Sequence, residues 1–247
     1  MASKVVLITG ANRGFGRALV ERFLALPNHT VIAANRSPEH PTSQTLAELP
    51  KGKDSRVIVV KYDAAVEQDA FDAVKEIEEK HGIDHLDIVV PNAAIAKSFP
   101  FVREVKRADI REHVEVNVLS VISLYQATRD LLQKSLKGPI FAPMGSLGGT
   151  LGRQPNIPSA SYGPSKAMVS WYGIRINTED EWLNAFVLDP GWAGTDMGTA
   201  AAKALGAESA MITVDEAMDG VFKVLTTATK EKCGGKFMSY TGEAEIW

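Results

Sequence analysis

The chain has 247 residues, of which 45% are hydrophobic and 23% charged, with a formal net charge of −3. These values are ordinary for a globular protein with a full core, and the slight negative charge argues against nucleic acid as a partner. A lone cysteine, Cys233, excludes an internal disulfide, and neither a secretory signal nor an apolar run of roughly 20 residues is visible, so we expect a cytoplasmic protein without a membrane partner.

The first half of the chain alternates β-branched apolar runs with amphipathic stretches. We predict strands at KVVLITG, TVIAAN and RVIVVKYD, and helices at GRALVERFLAL, which Pro27 stops, and at EQDAFDAVKEIEEKHG. The intervening HPTSQTLAELPKGK is expected to be a loop that carries a short helix.

A glycine-rich loop, TGANRGFG, follows the first predicted strand and opens into the first helix. Glycines at this point allow a tight turn and let the backbone approach a pyrophosphate at the helix N-terminus. A plain strand-to-helix turn is the alternative, but the position within a βαβ unit favours a nucleotide. We therefore predict a dinucleotide site that includes Gly10, Asn12, Arg13, Gly14, Phe15 and Gly16.

The end of the second predicted strand indicates which dinucleotide is bound. NAD-binding folds place an acid there on the ribose 2′-hydroxyl, whereas this chain has Asn35 and Arg36. With Arg13 in the glycine loop, two guanidiniums suit a 2′-phosphate, although either one alone could be a solvated surface residue. We predict NADP(H), with Asp63 and Ala64 near the adenine; an acid such as Asp63 at a strand end is also typical of a turn.

The second half continues the alternation. We predict strands at LDIVVPNA, PIFAPMGS, NAFVLDPGW and GKFMSY, a long helical region over about 107–137, a helix over SYGPSKAMVSWYGIRI and a helical segment near 214–227. No linker, repeat or low-complexity tract interrupts the chain. We therefore expect a single α/β domain with a Rossmann-type, doubly wound parallel sheet flanked by helices on both faces. Its cofactor half would span about 1–95 and its catalytic and substrate half about 96–247.

Tyr162 and Lys166 stand four residues apart in YGPSK, so they share one helix face. A nearby ammonium stabilises a phenolate, and the pair predicts a tyrosine whose pKa is lowered from about 10 and that exchanges protons. Because Y-x-x-x-K is common by chance, a solvated groove lined by the two side chains is the alternative.

Several motifs, in this order, resemble the short-chain dehydrogenase/reductase family from end to end of the chain. TGANRGFG resembles its cofactor loop, PNAA its N-N-A-G segment and YGPSK its catalytic pair. The resemblance implies that Asn117 in VEVNVLS and Ser146 in MGSLGG act with Tyr162 and Lys166. Alone, Asn117 would be taken for a solvent-facing helix residue and Ser146 for a turn serine.

The resemblance also implies further cofactor contacts, in PNAA and in DPGWAGTDMG. Pro91 and Ala94 depart from the family's N-N-A-G pattern and limit the resemblance at this segment. Pro91 would remove a hydrogen-bond donor from the sheet and so must lie at the end of its strand, and Ala94 adds a methyl group. The implied contacts are Asn92, Ala93, Ala94, Ile95, Tyr162, Lys166, Pro190, Gly191, Ala193 and Thr195.

The activity implied is hydride transfer between NADP(H) and a ketone or secondary alcohol. Tyr162 would donate the proton, Lys166 would lower its pKa and hold the nicotinamide ribose, Ser146 would bind the carbonyl oxygen, and Asn117 would hold a water. PGW…TDMG and YTGEAEIW are similar to the C-factor-like and norsolorinic acid ketoreductase-like fungal branch. That branch implies an apolar or aromatic, polyketide-like ketone.

A short flap, TAAAKALGAESAMIT, would cover this small-molecule carbonyl substrate, beside the apolar residues Phe99, Phe101, Leu147, Leu151 and Trp192. We expect no metal, and a homodimer or homotetramer formed through the 107–137 helix and the helix of Tyr162. Two other functions stay open: a non-redox step such as cyclisation or epimerisation, and a nucleotide-sensing regulatory role. The complete set of four catalytic residues favours the enzyme.

Overall fold

The secondary structure alternates strands and helices throughout the computed structural model, which describes residues 3–154 and 156–247. The strands are β1 (Lys4–Thr9), β2 (His29–Asn35), β3 (Arg56–Lys61), β4 (Ile88–Val90), β5 (Ile140–Phe141), β6 (Asn184–Ala185), β7 (Val187–Asp189), β8 (Phe237–Ser239) and β9 (Ala244–Glu245). The helices are α1 (Gly14–Ala25), α2 (Pro41–Gln44), α3 (Glu67–His81), α4 (Arg107–Val114), α5 (Ser120–Gln133), α6 (Tyr162–Glu179), α7 (Asp196–Leu205), α8 (Val214–Thr227) and α9 (Lys230–Cys233). Among these described helices, none is both long and apolar enough to span a bilayer.

The main sheet has six parallel strands in the order β3-β2-β1-β4-β5-β6. This is the doubly wound order, in which the direction of winding reverses between β1 and β4. Ligands of such sheets bind outside the carboxyl ends of the strands at that switch point. The predicted Rossmann-type fold is confirmed, while the division into halves near residue 95 stays a prediction.

Helices cover both faces of the sheet, because buried apolar side chains project from both of these faces. Side chains alternate between faces along β1, so Val5 and Leu7 join the core beneath α3 and α5, whereas Val6 and Ile8 join the core beneath α1 and α8. All four are at most 4% exposed. Burying each such side chain contributes about 1.5–3 kcal/mol, which fixes the strand at the centre of the sheet.

The sixth predicted strand is divided in two. Its first part, β6, pairs with β5, while β7 pairs with β8, which continues into the antiparallel β9. A bridge between Met144 and Leu188 and a hydrogen bond from Gly145 N to Leu188 O, at 2.7 Å, join β7 to the segment after β5. The carboxyl ends of β5 and β7 therefore lie side by side.

The last residues of the chain contact this same region. The ring of Trp247 stacks on Phe237 with centroids 5.6 Å apart, and the carbonyl of Trp247 accepts a hydrogen bond from Gly152 N at 2.6 Å. This C-terminal segment thus anchors the loop that follows β5.

Two predicted segments differ from the structure. The helical region expected over 107–137 ends at Gln133, and a π-helical turn, Glu115–Leu119, separates α4 from α5. The predicted flap begins as helix α7, since the hydroxyl of Thr195 caps its start through Gly198 N at 3.0 Å and Gly206, with φ +72°, ends it.

Candidate active site

The glycine loop after β1 is built so that only glycine fits. Gly10 and Gly14 have φ of +61° and +53°, the left-handed region that glycine adopts without cost. A Cβ on Gly16 would lie 2.3 Å from the carbonyl oxygen of Gly10, and one on Gly10 would lie 3.0 Å from Ala93 Cα. The backbone therefore makes a tight turn into the start of α1, the glycine cradle, whose form suits a pyrophosphate.

The PNAA segment is tied to this cradle by one hydroxyl. Thr9 Oγ1 accepts hydrogen bonds from the backbone N–H groups of Asn92 and Ala93, both at 2.9 Å. The amide of Asn92 donates to Thr9 O at 2.9 Å and to Gly10 O at 3.2 Å. Pro91 directly follows β4, as expected, and Ala94 lies half-buried beyond it.

At the end of β2 the structure presents an unpaired buried donor. Asn35 is 1% exposed; its Oδ1 accepts from Ala11 N at 2.8 Å, and its Nδ2 has no partner. A buried N–H group without a partner is costly, and a polar group of a bound nucleotide would satisfy it. Arg36 follows, exposed, and no hydrogen bond or ion pair within residues 3–154 and 156–247 engages its guanidinium. These features fit the predicted NADP(H).

Arg13 has a charged partner of its own. Its Nη1 is 3.2 Å from Asp196 Oδ2, in an exposed ion pair that joins the glycine loop to the start of α7. Gly14 also lies against the methyl group of Thr195, because a Cβ there would be 3.5 Å from it. Of the two predicted guanidiniums, that of Arg13 is thus ion-paired, whereas that of Arg36 has no charged partner among the described residues.

Four other predicted cofactor residues make contacts within the protein. The amide of Asn12 donates to Thr42 Oγ1 at 2.6 Å, and Asp63 Oδ1 accepts the backbone N–H two residues on at 3.0 Å. Phe15 and Ala64 pack against the two cores. Asp63 therefore has the turn geometry that was the alternative interpretation, and its contact with adenine stays a prediction.

The predicted catalytic side chains converge at the start of α6. Tyr162 is its first residue, and Lys166, one turn later and 3% exposed, donates from Nζ to Met144 O at 2.6 Å. Ser146 follows β5; its Oγ accepts from Gly148 N at 3.1 Å, and a Cβ on Gly148 would lie 3.3 Å from that Oγ and 3.7 Å from the ring of Tyr162. A half-buried hydroxyl, a half-buried phenol and a buried ammonium thus share one corner at the carboxyl end of the sheet.

The proton affinities at this corner differ from the sequence prediction. Burial raises the pKa of Tyr162 to about 12, with the hydrogen bond from Ser146 opposing and the charge of Asp189 adding to the rise. Lys166 is not among the groups that shift the pKa of Tyr162; its ammonium donates to Met144 O and lies 5.8 Å from the centroid of the tyrosine ring. Burial lowers the pKa of Lys166 itself to about 8, and Asp189 opposes that shift.

Asn117 lies in the π-helical turn, 1% exposed, and its amide makes three hydrogen bonds. Its Oδ1 accepts from Ile95 N at 2.8 Å, and its Nδ2 donates to Ile95 O at 3.0 Å and to Ser165 Oγ at 2.9 Å. Both amide hydrogens are therefore used, which leaves a lone pair of Oδ1 for the predicted water. The solvent-facing alternative does not hold for this buried residue, which links the segment after β4 to α6.

The last predicted cofactor residues follow β7. Pro190 is buried, Gly191 has φ +73°, and a Cβ on it would lie 2.8 Å from Ile212. Ala193 is 2% exposed and bridges to Ile212, while Thr195 caps α7 as described. This segment closes the side of the site that faces the glycine loop.

Asp189, which ends β7, is a site residue that the sequence reasoning missed. It is 4% exposed, and its Oδ1 accepts from Leu147 N at 3.1 Å, one residue beyond Ser146. Burial raises the pKa of its carboxyl to about 6, against hydrogen bonds from Leu147 and Gly191. The available signal was an acid that ends an apolar strand, in VLDPG.

An apolar cleft of about 420 Å³ is bordered by the loops after β4 and β5 and by the start of α6. It reaches the catalytic corner through Gly148 and Gly163, the neighbours of Leu147 and Tyr162, while Ser146, Tyr162 and Lys166 are not among its described lining residues. Phe101 and Leu151, both predicted to meet substrate, line it. Leu147 is 36% exposed in the turn after Ser146, and the indole of Trp192 donates to Gly198 O at 3.0 Å. Phe99 is not among the lining residues described.

Sequence comparison gives matches over nearly the whole chain. The family described as short chain dehydrogenase matches residues 4–205. Norsolorinic acid ketoreductase nor1 of Dothistroma septosporum is 38% identical over 237 residues, 94% of this chain and 88% of that protein. The norsolorinic acid ketoreductase of Aspergillus parasiticus is 36% identical over 245 residues, 98% of this chain and 90% of that protein.

Solved structures give the same picture of the fold. A carbonyl reductase from chicken fatty liver, crystallised with NADPH bound, is 26% identical and superposes with a TM-score of 0.85 over 100% of both chains. The carbonyl reductase Sniffer of D. melanogaster, 21% identical, has a TM-score of 0.86 over 100% of both chains and shares the fold.

Proposed function

The chain belongs to the short-chain dehydrogenase family, and from this we propose that it is an NADP(H)-dependent ketoreductase. The observation that carries the proposal is the corner at which Ser146, Tyr162 and the buried Lys166 come together, beyond the carboxyl end of β5. The glycine cradle, the unpaired Nδ2 of Asn35 and the exposed Arg36 support NADP(H) as the cofactor. When bound, NADPH supplies the hydride that reduces a ketone to a secondary alcohol.

The residues of this corner divide the remaining work. A phenol whose pKa is raised to about 12 is protonated at neutral pH, so Tyr162 is ready to donate a proton to the carbonyl oxygen. Ser146 orients that oxygen, since its hydroxyl and the ring of Tyr162 both lie next to Gly148. Lys166 places a positive charge and N–H donors beside both, and Asn117 holds the segment around Ile95 in place.

The substrate we propose is an apolar or aromatic ketone of polyketide type. Phe101, Leu151 and Ile157 line the cleft beside the catalytic corner, and they favour a flat apolar molecule over a charged one. The two fungal relatives are named for norsolorinic acid, and their similarity spans nearly the whole of this chain. A cleft of about 420 Å³ lies within the range of small-molecule sites.

The test follows NADPH oxidation by absorbance against a panel of aliphatic, quinone-like and polycyclic aromatic ketones. We expect turnover with aromatic ketones, its loss in Tyr162→Phe with NADPH affinity retained, and normal turnover in Tyr172→Phe, a matched change further along α6. Turnover that survives Tyr162→Phe would refute the mechanism. Tight NADPH binding without turnover on any ketone would refute the ketoreductase and favour a non-redox or nucleotide-sensing function.

The chain's partner in assembly is proposed to be a second copy of itself, as a homodimer or homotetramer. On α6 the side chains of Met168 and Trp171 are 37% and 60% exposed, and Leu119, before α5, is 40% exposed. Apolar side chains in such positions are typical of a surface that another chain covers. Light scattering after size exclusion tests this, and a monomer at assay concentration would refute it.

The cytoplasmic location stays a prediction.

A further inference from the structure

Two buried charged side chains hold the strand-end segment that carries Ser146. Lys166, 3% exposed, binds the carbonyl oxygen of Met144, two residues before the serine. Asp189, 4% exposed, binds the backbone N–H of Leu147, one residue after it. The serine therefore lies between a buried cation and a buried anion that belong to different elements, α6 and β7.

The surroundings of Asp189 explain why its charge matters at the site. Its carboxylate ends β7 and binds the backbone N–H of Leu147, so it joins the loop after β5 to the end of β7, next to Gly191. The charged and titratable groups that act on it or respond to it are Lys166 and Tyr162 on α6 and Glu245 on β9. A buried cation needs a compensating charge, and Asp189 is the carboxylate that supports protonation of Lys166 against burial.

We propose that Asp189 is a positioning residue for catalysis, whose carboxylate fixes the Ser146–Leu147 turn and places a buried negative charge on the side of that turn opposite the Lys166 contact with Met144. This inference rests on the proposed ketoreductase function. It assigns to VLDPG a role beyond that of a strand end followed by a turn. The acid acts through Ser146 and Lys166 and does not itself exchange a proton with the substrate.

The charge and the hydrogen bond can be separated by substitution. Asp189→Asn keeps an oxygen that can accept from Leu147 N but removes the negative charge. The pKa values of Lys166 and Tyr162 should then both fall, because a nearby anion favours the protonated form of each. Ketone reduction needs Lys166 and Tyr162 in their protonated forms. The alkaline limb of the kcat profile should therefore move to lower pH by about one unit. The acid limb that Asp189 contributes near pH 6 should disappear.

Asp87→Asn is the matched control. Asp87 is also buried, at 2% exposed, and its Oδ2 also accepts a backbone N–H, that of Val5 at 2.8 Å, but it precedes β4 at the opposite end of the sheet. We expect its pH profile to match that of the unaltered chain. If Asp189 had only a structural role, both variants would lose unfolding free energy and maximal rate. Neither the acid limb nor the alkaline limb of the pH profile would then move.

The deciding measurements are the pH profile of NADPH-dependent reduction and carbon-13 NMR titration of labelled lysine Cε, with Lys166 assigned from Lys166→Met. A Lys166 titration that moves to lower pH in Asp189→Asn, with the alkaline limb following it, supports the proposal. pH profiles and titrations that superimpose on those of the unaltered chain overturn it.

If no ketone is turned over, the proposed ketoreductase function fails, and the Lys166 titration alone decides the role of Asp189. If Asp189→Asn does not fold, the Lys166 Cε titration in the unaltered chain decides. A second step in the Lys166 signal as Asp189 protonates at acid pH supports the proposal, and a Lys166 signal without that step overturns it.

Discussion

Replacing Asn117 with alanine would remove at once the three hydrogen bonds that hold the segment after β4 against α6. Each such bond contributes about 1 kcal/mol, and buried partners left unpaired add to the cost. We therefore expect the free energy of unfolding to fall by about 3 kcal/mol. For a chain of this size the corresponding fall in Tm is roughly 6–12 °C.

Ser165→Ala is the control, because it removes one of these three bonds and the bond that Ser165 makes to Tyr162 O. Its expected cost is about 1–2 kcal/mol. Urea unfolding followed by circular dichroism measures both variants. If Asn117→Ala lost no more stability than Ser165→Ala, the amide would not hold the segment around Ile95, and its role would have to lie in the chemistry alone.

Three other changes test separate parts of the site. Gly16→Ala places a Cβ 2.3 Å from Gly10 O, so we expect a loss of about 1–3 kcal/mol in unfolding free energy and weaker NADPH binding by calorimetry. Gly194→Ala meets nothing within 4 Å and should change little; equal behaviour of the two variants would contradict the cradle. Arg36→Asp should weaken NADPH about tenfold more than NADH in fluorescence titrations, and equal losses would remove Arg36 from the 2′-phosphate site. Because burial lowers the pKa of Lys166 to about 8, the reduction rate should fall as pH rises through that value; a flat profile to high pH would contradict its charged role.

Much of the order of strands and helices was predictable because β1 to β4 are β-branched runs and the helices α1, α3, α5 and α8 are amphipathic. The glycine loop followed from the steric demands of one turn, and the structure bears out those demands at Gly10 and Gly16. The helix α7 was missed even though the signals were present. Thr195 is a capping residue, the alanines that follow favour helix, and Gly206 ends it.

Other features depend on tertiary contacts that no local pattern records. The π-helical turn interrupts an otherwise regular periodicity at the point where Asn117 binds Ile95, a residue far back in the chain. The raised pKa of Tyr162 comes from burial, and the position of the Lys166 ammonium is set by Met144 O. Asp189 was overlooked because its partner, Leu147, belongs to another loop.

The contact between Trp247 and Gly152 affects the order in which parts of the protein can fold during synthesis. A chain leaves the ribosome from its N-terminus, so β1 to β4 and the glycine loop can form while later residues are still being added. The loop that borders Ser146 receives its anchor only when residues 244–247 emerge, long after the strand that carries it. A nascent chain can thus form β1 to β4 before residues 244–247 are available to anchor the loop after β5.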